Sequence, residues 1–224
     1  MAIAISCIVV FAYYWITGSQ RTGDWFKRRF PAREAQIRKV LFKRLLGALL
    51  FSSAPLVILL GGFGQETSDF GLGTDNLGRS LLFWLPAAIL IPIISYFIAG
   101  SKSNLSQYPQ IRAGEWDLSL LVLSATSWIV YLIGYEILFR GFLLFSCYAS
   151  FGFWPAIIIN VIIYSLAHIP KGYRETLGSI PVGLLFCLVS LHLGSIWFAL
   201  LTHITMALAN EWFSIYFHSE IRVK

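Results

Sequence analysis

The chain has 224 residues, of which 57% are hydrophobic, 16% aromatic and 12% charged. Soluble globular domains carry about 25% charged residues, so this composition excludes that class and indicates an integral membrane protein. The net charge of +6 does not indicate a nucleic-acid partner, because the basic residues flank apolar runs and so reflect membrane topology. Cys7, Cys147 and Cys187 lack the spacing of a zinc finger or a disulfide framework, and we interpret them as small buried hydrophobic residues.

Apolar runs, taken in chain order, predict an all-α fold: a polytopic membrane bundle of about seven transmembrane helices around an intramembrane polar cavity. The first run has no basic segment before it and no convincing cleavage site, so we interpret it as a retained helix and not as a signal peptide. The fourth run is long enough to extend over about 50 Å, against about 30 Å for the hydrocarbon core, and must tilt, kink or protrude. The predicted spans are 1–17, 45–63, 79–99, 116–148, 153–169, 176–191 and 194–217.

The distribution of charge predicts the orientation in the membrane. Nine of the 17 Lys and Arg residues lie in segment 18–44, which is therefore expected in the cytoplasm, whereas the loop 65–78 is acidic, as expected outside. We predict a multi-pass protein of the inner (plasma) membrane, with its N-terminus outside and its C-terminus in the cytoplasm. Residues 31–44 suit either a basic helix lying on anionic lipid or a solvated connector.

The predicted spans divide one integral domain into three parts. Residues 1–115 carry three spans and the basic segment, 116–217 form a core of four spans, and 218–224 form a basic tail. No internal repeat and no matched pair of broken helices is evident, which disfavours an inverted-repeat transporter.

Two opposite charges stand inside the fourth span. Glu136 and Arg140 are four residues apart, which places them on one helix face with the acid on the favourable N-terminal side. Because a charge at membrane depth is costly unless it is paired or faces a polar cavity, the pair is a candidate functional site. The alternative is a packing clamp in which the two charges neutralise each other, since many buried ion pairs have no other role.

Two histidines interrupt later spans at similar depth. At 1.5 Å per residue from the outer helix ends, Glu136 lies about 18 Å deep, His168 about 25 Å and His203 about 13 Å. Three helices thus bring a carboxylate and two imidazoles to within about two helical turns of one level. Singly, each histidine is more typical of a core hydrogen-bonding residue; together with Glu136 they favour chemistry.

This set of side chains is suited to activating a water molecule. A Glu and a His can share the deprotonation of water, and a second His can donate a hydrogen bond to the oxyanion that forms at an attacked carbonyl. The sequence contains no Gly-x-Ser-x-Gly, no paired Cys–His motif and no His-Glu-x-x-His, so peptide hydrolysis without a required cofactor is the expectation. A zinc ion held by His168, His203 and Glu136 is the less favoured alternative.

Three motifs in this order resemble the CAAX prenyl endopeptidase and bacteriocin-processing family (ABI, or CPBP) of intramembrane proteases. The segment Tyr135–Gly141 is similar to the family motif Glu-Glu-x-x-x-Arg-Gly in a single-Glu form, and His168 closes the next apolar helix. Gly194–Trp197 followed by His203 resembles the third motif, and residues 70–73 resemble a further loop. Tyr135 stands where the family has its first Glu, and Ala207 stands where an Asn is often found.

The resemblance implies an all-helical membrane bundle whose cavity opens toward the cytoplasm. The implied activity is cleavage of a peptide bond at the membrane by a glutamate-activated water. A Glu held by an arginine stays ionised and weakly basic, so Glu136 is a weak candidate for the base. Glu175, seven residues after His168, is the candidate replacement; the alternative is a first-turn acid favoured by the helix dipole.

The sequence therefore predicts a bacterial intramembrane endopeptidase acting on a membrane-associated protein or peptide. In this hypothesis Glu136 or Glu175 activates water with His168, His203 stabilises the oxyanion, and Arg140 orients Glu136. The lipid bilayer and the substrate are the expected partners, and nucleic acid is not. A catalytically silent relative that acts as a membrane scaffold or regulator is the alternative, favoured by Tyr135, and a transporter is the third.

Overall fold

Helices account for nearly all regular structure in the computed structural model, which describes residues 1–60, 64 and 66–224. For residues 54, 59 and 60 it describes the backbone alone. Two two-residue strands, β1 (Glu115–Trp116) and β2 (Arg222–Val223), pair in parallel. The α-helices are α1 (Ala2–Gly18), α2 (Gln20–Arg29), α3 (Ala32–Leu60), α4 (Leu77–Ala99), α5 (Lys102–Leu105), α6 (Leu118–Glu136), α7 (Ser146–Phe151), α8 (Phe153–Leu166), α9 (Tyr173–Leu193) and α10 (Trp197–Phe217).

The predicted all-α bundle is confirmed, and each predicted span has a helix at its position. Within the described residues, four helices are long and apolar enough to cross a membrane: Ala32–Ile58 within α3, α4, the unbroken helical run Leu118–Phe151, and α9. The bent pair of α1 and α2 makes a fifth. Helix α8 has 14 residues and extends over about 21 Å, short of the hydrocarbon core. The predicted end of the second span, at Phe63, lies outside the described residues.

The basic segment 18–44 is helical over most of its length. Ser19 accepts a hydrogen bond from the Arg21 amide and starts α2, and Pro31 separates α2 from α3. Helix α3 begins at Ala32, well before the predicted second span, because good helix formers continue from the basic part into the apolar part. Residues 31–44, predicted as a lipid-bound helix or a connector, are thus mostly the first half of a long α3.

Arg44 differs from the other basic residues of this segment. Its side chain is 3% exposed and its Nη2 lies 3.2 Å from Oε1 of Glu211 on α10. Its Nη1 donates to the Ser124 carbonyl and to the hydroxyls of Ser124 and Ser127 on α6, and the guanidinium lies 4.1 Å from the Trp128 ring centroid. Arg44 is therefore not part of an exposed surface; it joins α3, α6 and α10 through a buried ion pair and through the hydrogen bonds of its two terminal nitrogens.

A π-helical segment, Ile137–Phe145, continues α6 directly after Glu136. The long predicted fourth span is therefore one run, Leu118–Phe151, with a change of helix type in its middle. The amide of Asn160 on α8 donates to the Phe139 carbonyl at 2.6 Å, which gives this irregular backbone a further partner. Such π-helical turns are frequent at functional sites.

The loop around residues 70–73 fastens the π-helical segment to the start of α10. Gly71 has φ +65°, a left-handed conformation that glycine adopts without strain, and its carbonyl accepts from the Ile196 amide at 3.0 Å. The indole of Trp197 donates to the Gly73 carbonyl at 2.8 Å. A Cβ on Gly141 would lie 3.3 Å from the Phe70 carbonyl oxygen. These contacts hold the loop of residues 70–73 against both the π-helical segment and the start of α10.

Gly134 allows α6 to approach α3 closely. A Cβ at this position would lie 2.6 Å from the Ala48 carbonyl oxygen and 2.8 Å from the Ala48 Cα, both of them backbone atoms. We expect Gly134→Ala to lower the free energy of unfolding by about 1–3 kcal/mol through overpacking. Gly178→Ala is the matched control, because a Cβ there meets nothing within 4 Å. Thermal unfolding in detergent measures both, and equal midpoints would contradict the close approach.

Candidate active site

A cavity of about 660 Å³ lies between α4, α9 and α10 and is lined by both predicted histidines. One wall is an apolar face of α4. Helices α6, α9 and α10 and the turn after α8 contribute most of the other lining side chains. Its polar lining includes Asn104, Tyr108, Tyr135, His168, Lys171, Arg174, Glu175, Ser179, Thr202, His203 and Asn210.

Glu136 and His203 are in direct contact. Oε1 of Glu136 lies 2.5 Å from Nδ1 of His203, and the carboxylate is fully buried while the imidazole is 14% exposed. Because an ionised carboxylate can only accept, His203 Nδ1 carries the proton of this hydrogen bond. The Nε2 atom is left for the cavity. The pairing fixes the orientation of the His203 ring from behind the cavity wall.

Arg140 holds the other side of the same carboxylate. Its Nη1 lies 3.4 Å from Glu136 Oε2, and both side chains are 0% exposed. The guanidinium lies 4.0 Å from the Tyr164 ring centroid and 5.1 Å from that of Phe186. Such cation–π contacts stabilise a desolvated arginine. A Cβ on Gly183 would lie 2.9 Å from the Tyr164 ring, so this glycine lets α8 and α9 close over Arg140.

His168 belongs to the same cavity but has a separate anchor. It follows α8, is 7% exposed, and its Nδ1 lies 2.8 Å from the Tyr164 carbonyl oxygen. A carbonyl cannot donate, so Nδ1 carries a proton and, in the neutral ring, Nε2 is a free acceptor. The hydroxyl of Tyr14 donates to the adjacent Ala167 carbonyl, which ties this turn to α1.

Tyr135 stands between the two histidines. Its ring centroid lies 6.3 Å from that of His168 and 5.6 Å from that of His203, and it is nearly perpendicular to both rings. Tyr164 also contacts both imidazoles, at 4.6 and 6.5 Å. The position where the resembling family has its first Glu is therefore in the cavity wall, but here it carries a phenol.

Glu175 lines the cavity and does not contact Glu136, Arg140 or His203. Its Oε2 accepts from the Tyr108 hydroxyl at 3.4 Å and lies 3.9 Å from Lys171 Nζ. The structure thus brings Glu136, Arg140 and His203 into contact. His168 lines the same cavity as His203, and Glu175 lines it with partners of its own.

Sequence reasoning missed Tyr108, Asn210 and Glu211. Asn210 lines the cavity seven residues after His203, and helical periodicity would have placed it on the same face of α10 two turns away. Glu211 is an acidic residue inside an apolar span, the same signal that identified Glu136. Tyr108 is in a loop whose sequence carries no pattern that predicts its contact with Glu175.

The predicted alternative of a zinc ion does not fit the donor set. In the described part of the chain, no group of three or more His, Cys, Asp or Glu residues is arranged to hold a metal. Glu136 is turned toward Arg140 and His203 Nδ1 and is fully buried, so its oxygens do not face the cavity with His168. Glu136 is therefore not placed to share a metal ion with His168 and His203.

A comparison with protein families finds a match over the segment that carries the candidate site. Residues 117–209 match the family described as type II CAAX prenyl endopeptidase Rce1-like. The matched segment begins at the cap of α6, ends within α10, and includes all five predicted site residues. The predicted family resemblance is confirmed for this part of the chain. No curated protein and no solved structure matches the chain at a significant level.

The fold and the family match together define the class of protein. Several of the described helices are long and apolar enough to cross a bilayer, and the matching family is described as type II CAAX prenyl endopeptidase Rce1-like. The chain is a multi-pass membrane protein, and the match supports a function related to the CAAX proteases.

The buried pair of Glu136 and Arg140 has an exposed counterpart with the same spacing, Glu34 and Arg38. We expect Arg140→Ala to destabilise the protein by about 3–5 kcal/mol, because it leaves a buried carboxylate with one partner fewer. Arg38→Ala should change stability by less than about 1 kcal/mol, since its pair is solvated. Thermal unfolding in detergent measures the difference, and similar losses in the two variants would refute the burial argument.

Proposed function

We propose that this protein is a membrane-embedded endopeptidase that cleaves a membrane-associated protein or peptide by attack of an activated water. The observation that carries the proposal is the 2.5 Å contact between Glu136 and His203, beside a second imidazole in one cavity. A buried carboxylate that orients an imidazole, with another base nearby, is the arrangement that general acid–base hydrolysis requires.

The first step is attack on the peptide carbonyl. A water molecule in the cavity gives a proton to Nε2 of His168, whose Nδ1 is held by the Tyr164 carbonyl. The water oxygen bonds to the carbonyl carbon, and the carbonyl π electrons move to its oxygen. His203, protonated at Nε2 and paired with Glu136 through Nδ1, donates a hydrogen bond to the resulting oxyanion.

The second step is release of the products. The oxyanion re-forms the carbonyl, the carbon–nitrogen bond breaks, and the leaving nitrogen takes the proton from His168 Nε2. One product ends in a carboxyl group and the other begins with an amine, and both histidines return to their starting states. The cycle consumes one water and returns both histidines unchanged, and none of its steps uses a cofactor.

The two glutamates have different proposed roles. Glu136 is a positioning residue, because its oxygens contact His203 and Arg140 and its side chain is fully buried. Arg140 orients Glu136 and balances the charge of its carboxylate. Glu175 is the second candidate proton acceptor, because it is the one carboxylate of the described residues that lines the cavity.

The cavity also supports the choice of substrate class. Apart from Ser95, the α4 residues that line it are apolar, and another part of the lining carries Lys171, Arg174 and Glu175. A polypeptide segment fits both parts of the lining if its apolar portion packs against α4 and its backbone lies near the histidines. We propose a membrane-associated polypeptide and assign no lipid modification to it.

Alanine at either histidine tests this function. We expect His168→Ala and His203→Ala to reduce cleavage by at least about 10²-fold, since each removes a general acid–base or oxyanion contribution. The measurement is a comparison of membrane-protein termini between a deletion strain and strains expressing each form. His192→Ala is the matched control, because His192 is a histidine of α9 outside the cavity lining. Unchanged termini in both histidine variants, with normal expression and folding, would reject the assignment.

A catalytically silent relative is the second candidate function. Tyr135, which stands where the family motif has its first Glu, favours this candidate, because its phenol ring lies near both imidazoles and supplies no carboxylate. In that case the cavity binds a membrane partner without cleaving it. Complementation of a deletion strain by the His168→Ala protein would support the scaffold and contradict the protease.

We propose a bacterial inner (plasma) membrane location, with the N-terminus outside and the C-terminus in the cytoplasm. The support is the concentration of nine Lys and Arg residues in segment 18–44. A green fluorescent protein fused after Lys224 should fluoresce, because it folds in the cytoplasm, whereas an alkaline phosphatase fused there should be inactive. The opposite pair of results would reverse the orientation.

A further inference from the structure

Helix α2 leaves the end of α1 at an angle that keeps it close to the membrane surface. The two helices are bent by 44° at Ser19. Helix α1 extends over about 26 Å, a few ångströms short of a hydrocarbon core of about 30 Å. Along the α1 axis, α2 adds about 11 Å, which covers the remainder of the core and the headgroup layer of about 5–8 Å. With α1 crossing the core along the membrane normal, α2 therefore falls at the depth of the lipid headgroups.

The inner face of α2 is apolar and packed. Phe26 is 6% exposed and its ring centroid lies 5.6 Å from that of Phe42 on α3. Gly23 is buried, and a Cβ there would lie 3.3 Å from Lys39 Nζ. The orientation of α2 is thus fixed by α3, and its outer face is presented in a defined direction.

The outer face of α2 combines one tryptophan with three arginines. Trp25 is 55% exposed. Arg21 precedes it by four residues, and Arg28 and Arg29 follow it by three and four, so all of them share its side of the helix. Among the described residues, none of the three arginines makes an ion pair within 4.0 Å. We call these four residues the Trp25 face.

We propose that the Trp25 face is a binding surface for the phosphate groups of anionic phospholipids. Arginine guanidinium groups bind phosphate in a bidentate manner, and tryptophan is the side chain most typical of the membrane–water interface. Charge complementarity selects acidic lipid, because three unpaired cations on one face attract anionic headgroups and gain little from zwitterionic ones. The surface is separate from the cavity and does not depend on peptidase activity.

The location distinguishes lipid from other anions. A soluble phosphate would find the same guanidinium groups, but it would gain nothing from Trp25. The headgroup layer brings phosphate and an apolar boundary to the same depth, which matches the mixed character of the face. The structure therefore points to a lipid headgroup and not to a free anion.

Hydrogen exchange of the full-length protein in lipid nanodiscs tests the proposal. We expect the amides of residues 20–30 to exchange about tenfold more slowly in discs with 30% phosphatidylglycerol than in discs of phosphatidylcholine alone. The combined variant Arg21→Gln, Arg28→Gln, Arg29→Gln should lose this difference. Inorganic phosphate added to phosphatidylcholine discs should not reproduce the protection.

The matched control removes the same number of charges elsewhere. Arg79→Gln, Lys102→Gln and Arg222→Gln together change exposed residues outside α2 and should keep the lipid-dependent protection. Equal protection in both lipid compositions, or equal loss in both combined variants, would overturn the proposal. Protection by inorganic phosphate alone would show that the site binds a free anion. Unchanged exchange in α10 shows that each variant is folded.

Discussion

The carboxylate of Glu136, enclosed between the Arg140 guanidinium and the His203 imidazole, determines how the helices around the cavity meet. A buried charge without partners is costly, so the helix that carries Glu136 and the helix that carries His203 are fixed in register by their contact. Tyr164 and Phe186 cover the guanidinium from two further helices. The packing of four helices thus depends on the Glu136 carboxylate and its arginine, and the same carboxylate orients the His203 imidazole.

The second imidazole is positioned by different means. His168 is anchored to the backbone of its own helix end, and Tyr14 ties the neighbouring residue to α1. The two histidines are therefore oriented independently, and each has one ring nitrogen committed to the protein and one left for the cavity. Groups held in this way need little reorganisation during a reaction, which is the main source of catalysis by preorganised dipoles.

The sequence predicted the helices and the pairing of Glu136 with Arg140, because apolar runs and a four-residue spacing are local signals. It predicted that His168 and His203 lie at similar depth, and in the structure both line one cavity. It did not predict the ion pair of Arg44 with Glu211, since a run of basic residues does not show which member turns inward. Glu211 is 167 residues away in the sequence, and a local sequence pattern cannot predict a contact between residues so far apart.

The π-helical segment after Glu136 makes the effect of losing one residue depend on where in the helix it is lost. In such a segment each amide reaches back one residue further than in an α-helix, so the run Ile137–Phe145 accommodates an extra residue within the helical path. Loss of a single residue within this segment would be absorbed by a return to ordinary α-helical winding, so the helical parts on either side would keep roughly their present orientation. Loss of a single residue in the α-helical part before Glu136 would instead rotate the first part of α6 by about 100° relative to Glu136, even with every charged residue retained.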